Sequence, residues 1–394
     1  MPATPIPYFP IKPLDQLLYN STARPLSLDL SSDLNPVFSF IPKISKPILN
    51  TMESQSATTI GRQYEVVGIL GEGAFGRVLM AKDQISGEDV ALKMIRKDRT
   101  SFPAYLHELQ VSILVSGHEN VIHTHPVYVP DPDHFVISQE LATSGTLHSI
   151  IDSQVGIPED VAKRCAVQLA TALNYMHSRG IVHGDLKPDN VLLMDKDCHH
   201  IKLGDFGHSQ SIGSLVGCMS HIIPYMSPEI CSLKSNECLI LTQSVDVWAF
   251  GILLYVALTG SFPWEKAMGD DHEFSVFVDW QNKGDYSSPP PGWEMFTVEA
   301  MDMFFTLLFQ NPSLRPSNDH VLKYLNYPWR SIDISSDSEE PSIEIQEVTI
   351  EESQEYEIII IPGNDEVVII ENGDTECVFV AGAAVESGDI IYVL

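Results

Sequence analysis

The chain has 394 residues, a formal charge of −30 at neutral pH and 44% hydrophobic residues. That length allows one large domain or two to three small ones, with enough apolar content for a sizeable core. The charge argues against nucleic-acid binding by phosphate neutralisation: no basic stripe occurs, and the stretch after Arg330 carries 17 acids and no Lys or Arg, over half of the imbalance. The six cysteines, at 165, 198, 218, 231, 238 and 377, make no CxxC pair, so neither a zinc site nor a disulfide framework is expected. No charged start followed by an apolar run marks a signal peptide. The longest apolar stretch, Val247 to Leu258, is too short to span a bilayer. The expectation is a reducing, cytoplasmic or nuclear location with no membrane partner.

Residues 1–60 are rich in Pro and Ser without sustained periodicity and read as a disordered segment. Pro10 and Pro13 give one PxxP spacing, a weak SH3-ligand signal in so Pro-rich a stretch. Met52 opens a more ordinary polar leader, so residues 1–51 read as an alternative or mispredicted start. Order begins at Tyr64. YEVVGILGEGAFGRVLMAKD reads as strand, glycine turn, strand, with Gly71, Gly73 and Gly76 in a GxGxxG spacing. A dinucleotide-binding turn of that spacing opens a helix. Here the residues after Gly76 suit a second strand, so the segment reads as a flap whose backbone amides approach phosphates, with Val78 against an adenine.

The next strand, Asp89 to Ile95, carries Lys93 in an otherwise apolar run. That suits an inward lysine on the α- and β-phosphates better than one reaching solvent. Such a lysine needs an acid, and Glu108, amid the apolar residues of a helix over Ser101 to Val115, is the natural partner. His107 reads as a solvated helix residue. Two further strands, Val127 to Val129 and Phe135 to Leu141, flank PDPDH; the second runs into a linker able to offer backbone groups to an adenine edge. Apolar residues at helical spacing then predict a helix over Glu159 to Arg179, with Pro158 near its start.

The chemistry concentrates in His183 to Gly207, HGDLKPDN followed by an apolar run and KLGDFG. Phosphoryl transfer from a metal-bound nucleotide needs one carboxylate for the substrate hydroxyl, and an amide oxygen and a second carboxylate for the metal; Asp185, Asn190 and Asp205 are those types. Val191 to Met194 and Ile201 to Leu203, split by a polar turn, read as a hairpin bringing both acids to one cleft. The segment 208–226 is a mobile-loop candidate. Val245 to Gly260 fits a buried central helix. Helices over Phe274 to Trp280, Thr297 to Gln310 and His320 to Leu325 complete the platform. After Arg330 four β-prone runs (Ile358 to Ile361, Val367 to Ile370, Cys377 to Ala381, Ile390 to Leu394) alternate with turn signals, as either a small meander or disordered strand-forming segments.

GEGAFGRV, VALK, HGDLKPDN, DFG, SPE, DVWAFG and the late Arg315 occur in the order and spacing of the eukaryotic protein kinase superfamily, which the sequence resembles over residues 64–330. QVGIPEDVAKRC, VDVWAFGILL, SFPWE and FVDWQ are similar to the SH3-binding-domain serine/threonine kinase family. The resemblance implies an α+β bilobal fold, with a β-rich N-lobe over 64–142 and a helical C-lobe over 143–330, followed by an acidic tail over 331–394. It implies ATP and Mg2+ as cofactors, protein substrates bearing Ser or Thr, and a monomer. Leu70, Gly71, Glu72, Gly73, Ala74, Phe75, Gly76, Arg77 and Val78 would cover the nucleotide. Lys93, paired with Glu108, would hold its phosphates. Gln139 takes the gatekeeper place, and Glu140 and Ala142 offer hinge backbone. Asp185 would be the base, Lys187 would neutralise the transferring phosphoryl, and Asn190 and Asp205 would bind magnesium. Glu229 would brace Arg315, and Asp246 would anchor the catalytic loop. Lys187, two places after the acid, marks the Ser/Thr-directed type.

Three departures from the family pattern occur. Gly184 replaces an arginine that meets a loop phosphate, His221 with Ile222 replaces a glycine and a threonine, and Thr146 stands where an acid is common. The nucleotide, metal and base residues are all present, which favours a transferase over a nucleotide-binding pseudokinase scaffold acting through its tail. In that tail, Ile332-Asp333-Ile334 followed by Ser335, Ser336, Ser338 and acids looks like a SUMO-interacting segment, and Ile358 to Ile361 and Val367 to Ile370, each with flanking acids, repeat the pattern. Such a segment would bind by adding a strand to a sheet edge.

Overall fold

The structure, a computed structural model, describes residues 63–331 apart from 74, 75, 128 and 285–287, together with the backbone of 356–360 and 367–371. The chain divides into two units, Met1–Ser331 and Ile332–Leu394. The first has a β-rich N-terminal part and a helical C-terminal part.

Alternation of apolar and polar residues along Tyr64 to Arg96 builds the N-terminal sheet. Strands β1 (Tyr64–Gly73), β2 (Gly76–Asp83), β3 (Asp89–Arg96) and β4 (His134–Glu140) pair antiparallel in that order. Register places Val78 opposite Lys93 and Lys93 opposite Ile137, so these three share one face. Gly76 admits no side chain: at φ +155° an added Cβ would lie 1.8 Å from the Met94 carbonyl oxygen. Leu79, Ala81, Val90, Leu92 and Val136 bury one side of the sheet.

Helix α1 (Phe102–Val115) starts where the Ser101 hydroxyl accepts from the Ala104 N–H and Pro103 occupies the first turn. It packs Tyr105 and Leu109 on Ile95 and Ile137, with Tyr105 stacked on Phe135 at 4.6 Å. Of the strand expected at Val127 to Val129, the described residues Val127 and Val129 belong to no strand. Pro126 and Pro130 flank it and have no N–H for a ladder. Val129 is nevertheless buried in the core of the sheet, which accounts for its apolar character, and the bridge to β4 comes instead from Thr124, opposite Gln139.

The C-terminal part gathers around α4 (Ser244–Thr259), buried at every residue. Around it stand α2 (Glu159–Ser178), α5 (His272–Lys283) and α6 (Val298–Leu307), with the four-residue α3 (Pro228–Cys231) between α2 and α4 in the chain. Two expected helices differ. The one expected to run to Gln310 stops at Leu307, where Leu308 leaves the helical backbone at φ −104° and ψ 32°; the carbonyls of Phe309 and Gln310 beyond it are taken up by the Arg315 guanidinium at 2.7 and 3.3 Å. The one expected over His320 to Leu325 is a 3-10 helix, Asn318–Tyr324. Short antiparallel pairs carry the loops: β5 (Ile181–Val182) with β8 (Gln210–Ser211), β6 (Val191–Leu193) with β7 (Ile201–Leu203), and β9 (Leu215–Gly217) with β10 (Cys238–Ile240). The β6–β7 hairpin is the one expected from sequence.

In the second unit β11 (Tyr356–Ile360) and β12 (Val367–Glu371) pair as an antiparallel hairpin. The remaining two β-prone runs, the SUMO-like segment at 332–338 and the N-terminal 1–60 lie outside the described residues. Among the described residues, no helix is long and apolar enough to cross a membrane.

Candidate active site

The sheet face that carries Lys93 looks toward α1 and the β6–β7 hairpin. Lys93 Nζ lies 2.7 Å from Glu108 Oε1 and 2.8 Å from Asp205 Oδ1. Burial alone would pull the lysine pKa down, but the two carboxylates more than offset this and hold it above the ordinary value. Asp205 shows the mirror effect. Burial pushes it up, yet the Lys93 charge and hydrogen bond win and keep it well below the usual carboxylate range. Asp205 adopts φ 59°, which turns its carboxylate into the cleft.

The loop bearing Asp185 is suspended from α4. Asp246, fully buried, accepts the N–H of His183 at 2.8 Å and of Gly184 at 2.9 Å, and its third contact is His177 Nε2 at 2.7 Å. His183 Nδ1 accepts the Asp185 N–H, so Nε2 carries the proton and donates to the Gly204 carbonyl at 3.0 Å. One imidazole therefore links the loop of Asp185 to the residue before Asp205. The Asn190 amide donates to the Asp185 carbonyl at 2.7 Å and to its Oδ2 at 3.2 Å, and Lys187 Nζ reaches the same Oδ2 at 2.8 Å. Although burial works against its charge, Lys187 is held above the ordinary lysine value, chiefly by the charge and hydrogen bond of Asp185, with Asp189 and Asp205 adding to it. Ile222, at the place of the family's threonine, is half-buried and packs against the large core instead.

The structure thus brings Lys93, Glu108, Asp185, Lys187, Asn190 and Asp205 together. Leu70 is half-exposed on β1 at the strand turn and Val78 faces the same side as Lys93. Gly71, Glu72 and Gly73 end β1 and Gly76 and Arg77 begin β2; Ala74 and Phe75 lie outside the described residues. Glu140 narrows the expectation for the hinge: its N–H already donates to the His123 carbonyl at 3.0 Å. The hinge continues through Ala142 to Ser144, whose N–H is fixed to the Leu193 carbonyl at 3.0 Å. Gln139 turns its amide to the Thr124 hydroxyl at 3.1 Å. Glu229 and Arg315 meet through two bonds of 2.7 Å, with the guanidinium over Trp248.

Three contacts escaped the sequence reading. His107 is half-buried, not solvated; its Nε2 lies 2.7 Å from the Ser209 carbonyl, linking α1 to the 208–226 segment. Nothing in its local sequence separates it from an exposed helix residue. His177 supports Asp246, again a long-range pairing. Lys202 did carry a signal, the same one that flagged Lys93, a lysine in an apolar strand. It is buried and pairs with Glu140 at 2.8 Å.

The protein kinase domain family matches residues 64–329. The chain is 39% identical to serine/threonine-protein kinase SBK1 of Danio rerio over 293 residues, covering 73% of this chain and 76% of that protein. It is 38% identical to SBK1 of Mus musculus, covering 73% and 70% of the two chains, and 35% identical to SBK2 of Homo sapiens, covering 72% and 83%. An ion-paired lysine on the sheet and a suspended acid loop, in a chain so matched, place it: the protein belongs to the protein kinase family, among the SH3-binding-domain serine/threonine kinases.

Proposed function

We propose that residues 64–330 transfer the γ-phosphoryl of ATP to Ser or Thr hydroxyls of protein substrates. The observation that carries this reading is Lys93 bracketed by Glu108 at 2.7 Å and Asp205 at 2.8 Å. A lysine kept charged and inward is suited to the α- and β-phosphates, and Glu108 fixes its direction. Asn190 spends its amide nitrogen on Asp185, which leaves its amide oxygen as a donor. That oxygen and the Asp205 carboxylate make a hard-oxygen pair that suits magnesium. Magnesium held there would neutralise charge on the phosphates of ATP.

Asp185 orients the acceptor hydroxyl and takes its proton as the oxygen–phosphorus bond forms and the bond to ADP breaks. Lys187, beside Asp185 at 2.8 Å, offsets charge on the phosphoryl in transit. Its place two residues after Asp185, and the designation of the relatives as serine/threonine-protein kinases, support Ser and Thr as acceptors. The test is transfer of labelled γ-phosphoryl from magnesium-ATP to a mixed peptide library by the wild type, Asp185→Asn and Asp205→Asn. The expected result is label on Ser and Thr with wild type alone. Wild type that binds nucleotide yet labels no more than Asp205→Asn would replace this reading with that of a scaffold.

A further inference from the structure

Helix α1 meets the chain beyond Asp205 at two neighbouring residues. Glu108 lies against Gly207, where an added Cβ would stand 3.3 Å from Glu108 Oε2. His107, one place earlier, has Nε2 at 2.7 Å from the Ser209 carbonyl oxygen. A carbonyl only accepts, so Nε2 carries a proton and donates it to that bond. Ser209 is itself 1% exposed, and its hydroxyl donates to the His183 carbonyl at 3.0 Å. His183 opens the loop of Asp185 and hangs by its N–H from Asp246. One buried residue therefore holds α1 on its carbonyl and the catalytic loop on its hydroxyl.

Packing alone does not set the rotation of α1. Tyr105 and Leu109 rest on the sheet, and Val111 and Val115 on the larger core. Apolar contact is non-directional and tolerates a small turn of the helix, whereas hydrogen bonds have a narrow geometry. Glu108 reaches Lys93 at 2.7 Å, and the bond from His107 fixes the helix at the residue beside it. On the loop side Gly184 has no side chain for a link to the 208–226 segment, and the Ser209 hydroxyl supplies one from the segment itself.

We propose that His107 and Ser209 are positioning residues, a relay that ties the placement of Glu108 against Lys93 to the placement of the Asp185 loop. Neither touches substrate. The relay takes its purpose from the transferase reading, but its existence is tested without it.

The first readout is amide hydrogen exchange on the full-length chain, which needs no activity. His107→Leu keeps bulk but no donor and should speed exchange about 3–10-fold both in α1 and in residues 183–187. Ser209→Ala removes the hydroxyl alone and should loosen the same two stretches. His107→Gln restores an N–H donor and should return most of the protection. The second readout is transfer of labelled γ-phosphoryl. His107→Leu should lower kcat about 3–10-fold. Combined with Glu108→Gln it should be no worse than Glu108→Gln alone, because it acts through Glu108; a residue that only stabilises the fold would add its own loss. Where urea denaturation shows that His107→Leu does not fold, Ser209→Ala carries the test. Exchange at 183–187 unchanged in His107→Leu, exchange in α1 unchanged in Ser209→Ala, or additive losses in the double variant overturns the proposal. The expected exchange pattern in a wild type that transfers no phosphoryl would overturn the transferase reading and leave the relay standing.

Discussion

At the scale of single residues, the site rests on groups that are charged or hydrogen-bonded against the cost of burial. Gly184 is the position where backbone geometry decides. With φ at +76° and the His208 carbonyl in the way, Gly184→Ala combines left-handed strain with a clash. The expected loss is about 1–2 kcal/mol from the strain alone, read from urea denaturation, with turnover falling because the residue adjoins Asp185. An unchanged midpoint would show that the loop relaxes freely. Lys202 gives a second case. It is buried against Glu140, whose carboxylate also accepts the His123 N–H at 2.5 Å. Lys202→Met leaves that carboxylate short of its cation, and removing one partner of a buried pair costs about 3–5 kcal/mol. The double variant Lys202→Met/Glu140→Gln should recover part of this, since the stranded charge is gone. A double variant no better than the single one would show that the loss comes from packing.

At the scale of elements, the 208–226 segment is held by pairing and burial. β8 pairs with β5, β9 pairs with β10, and Val216 packs on Val182, Leu241 and Val245. His107 adds a bond from α1 to the Ser209 carbonyl. These contacts order the segment without a phosphate, so phosphatase treatment should leave transferase activity intact. Val216→Asp, which sets a charge against that apolar cluster, should raise proteolysis within 208–226 by roughly tenfold or more. Equal cleavage in variant and wild type would mean that the cluster does not hold the segment.

The elements themselves were largely legible, and for physical reasons. Lys93 in an apolar strand, Glu108 on the apolar side of a helix and the split run around Asp195 to His200 each record a burial decision in local sequence. The strand predicted at Val127 to Val129 misread burial as pairing, because Pro126 and Pro130 deny it a ladder while Val129 still sits in the core. The end of α6 was illegible for another reason: apolar residues continue through Phe309, so the pattern carries no stop signal at Leu308, where the backbone leaves the helix. His107 and His177 were missed because only tertiary contact distinguishes them from solvated residues.

At the scale of the whole unit, the catalytic loop hangs from the buried centre of the helical part through Asp246. Burial would raise the pKa of this carboxylate, but the hydrogen bond and charge of His177, with His183 and the Gly184 N–H, bring it below the ordinary value. A carboxylate with a depressed folded pKa contributes stability above its unfolded value of about 3.9, and that contribution is lost as pH falls through the folded value. Asp205 acts in the same direction, while Lys93, raised in the fold, contributes below the ordinary lysine value and loses that contribution only as pH rises through its folded one. Asp246→Asn keeps one acceptor oxygen but no charge. It should cost about 3 kcal/mol at neutral pH, the low end for breaking a buried pair. The gap between wild type and variant should then narrow steadily as pH drops below about 4, because the wild-type carboxylate is being protonated toward the state the variant already mimics. Urea midpoints for both proteins at pH 7, 5, 4 and 3 measure it. A gap that stays constant across the series would show that Asp246 holds the loop by shape and hydrogen bonding rather than by its charge.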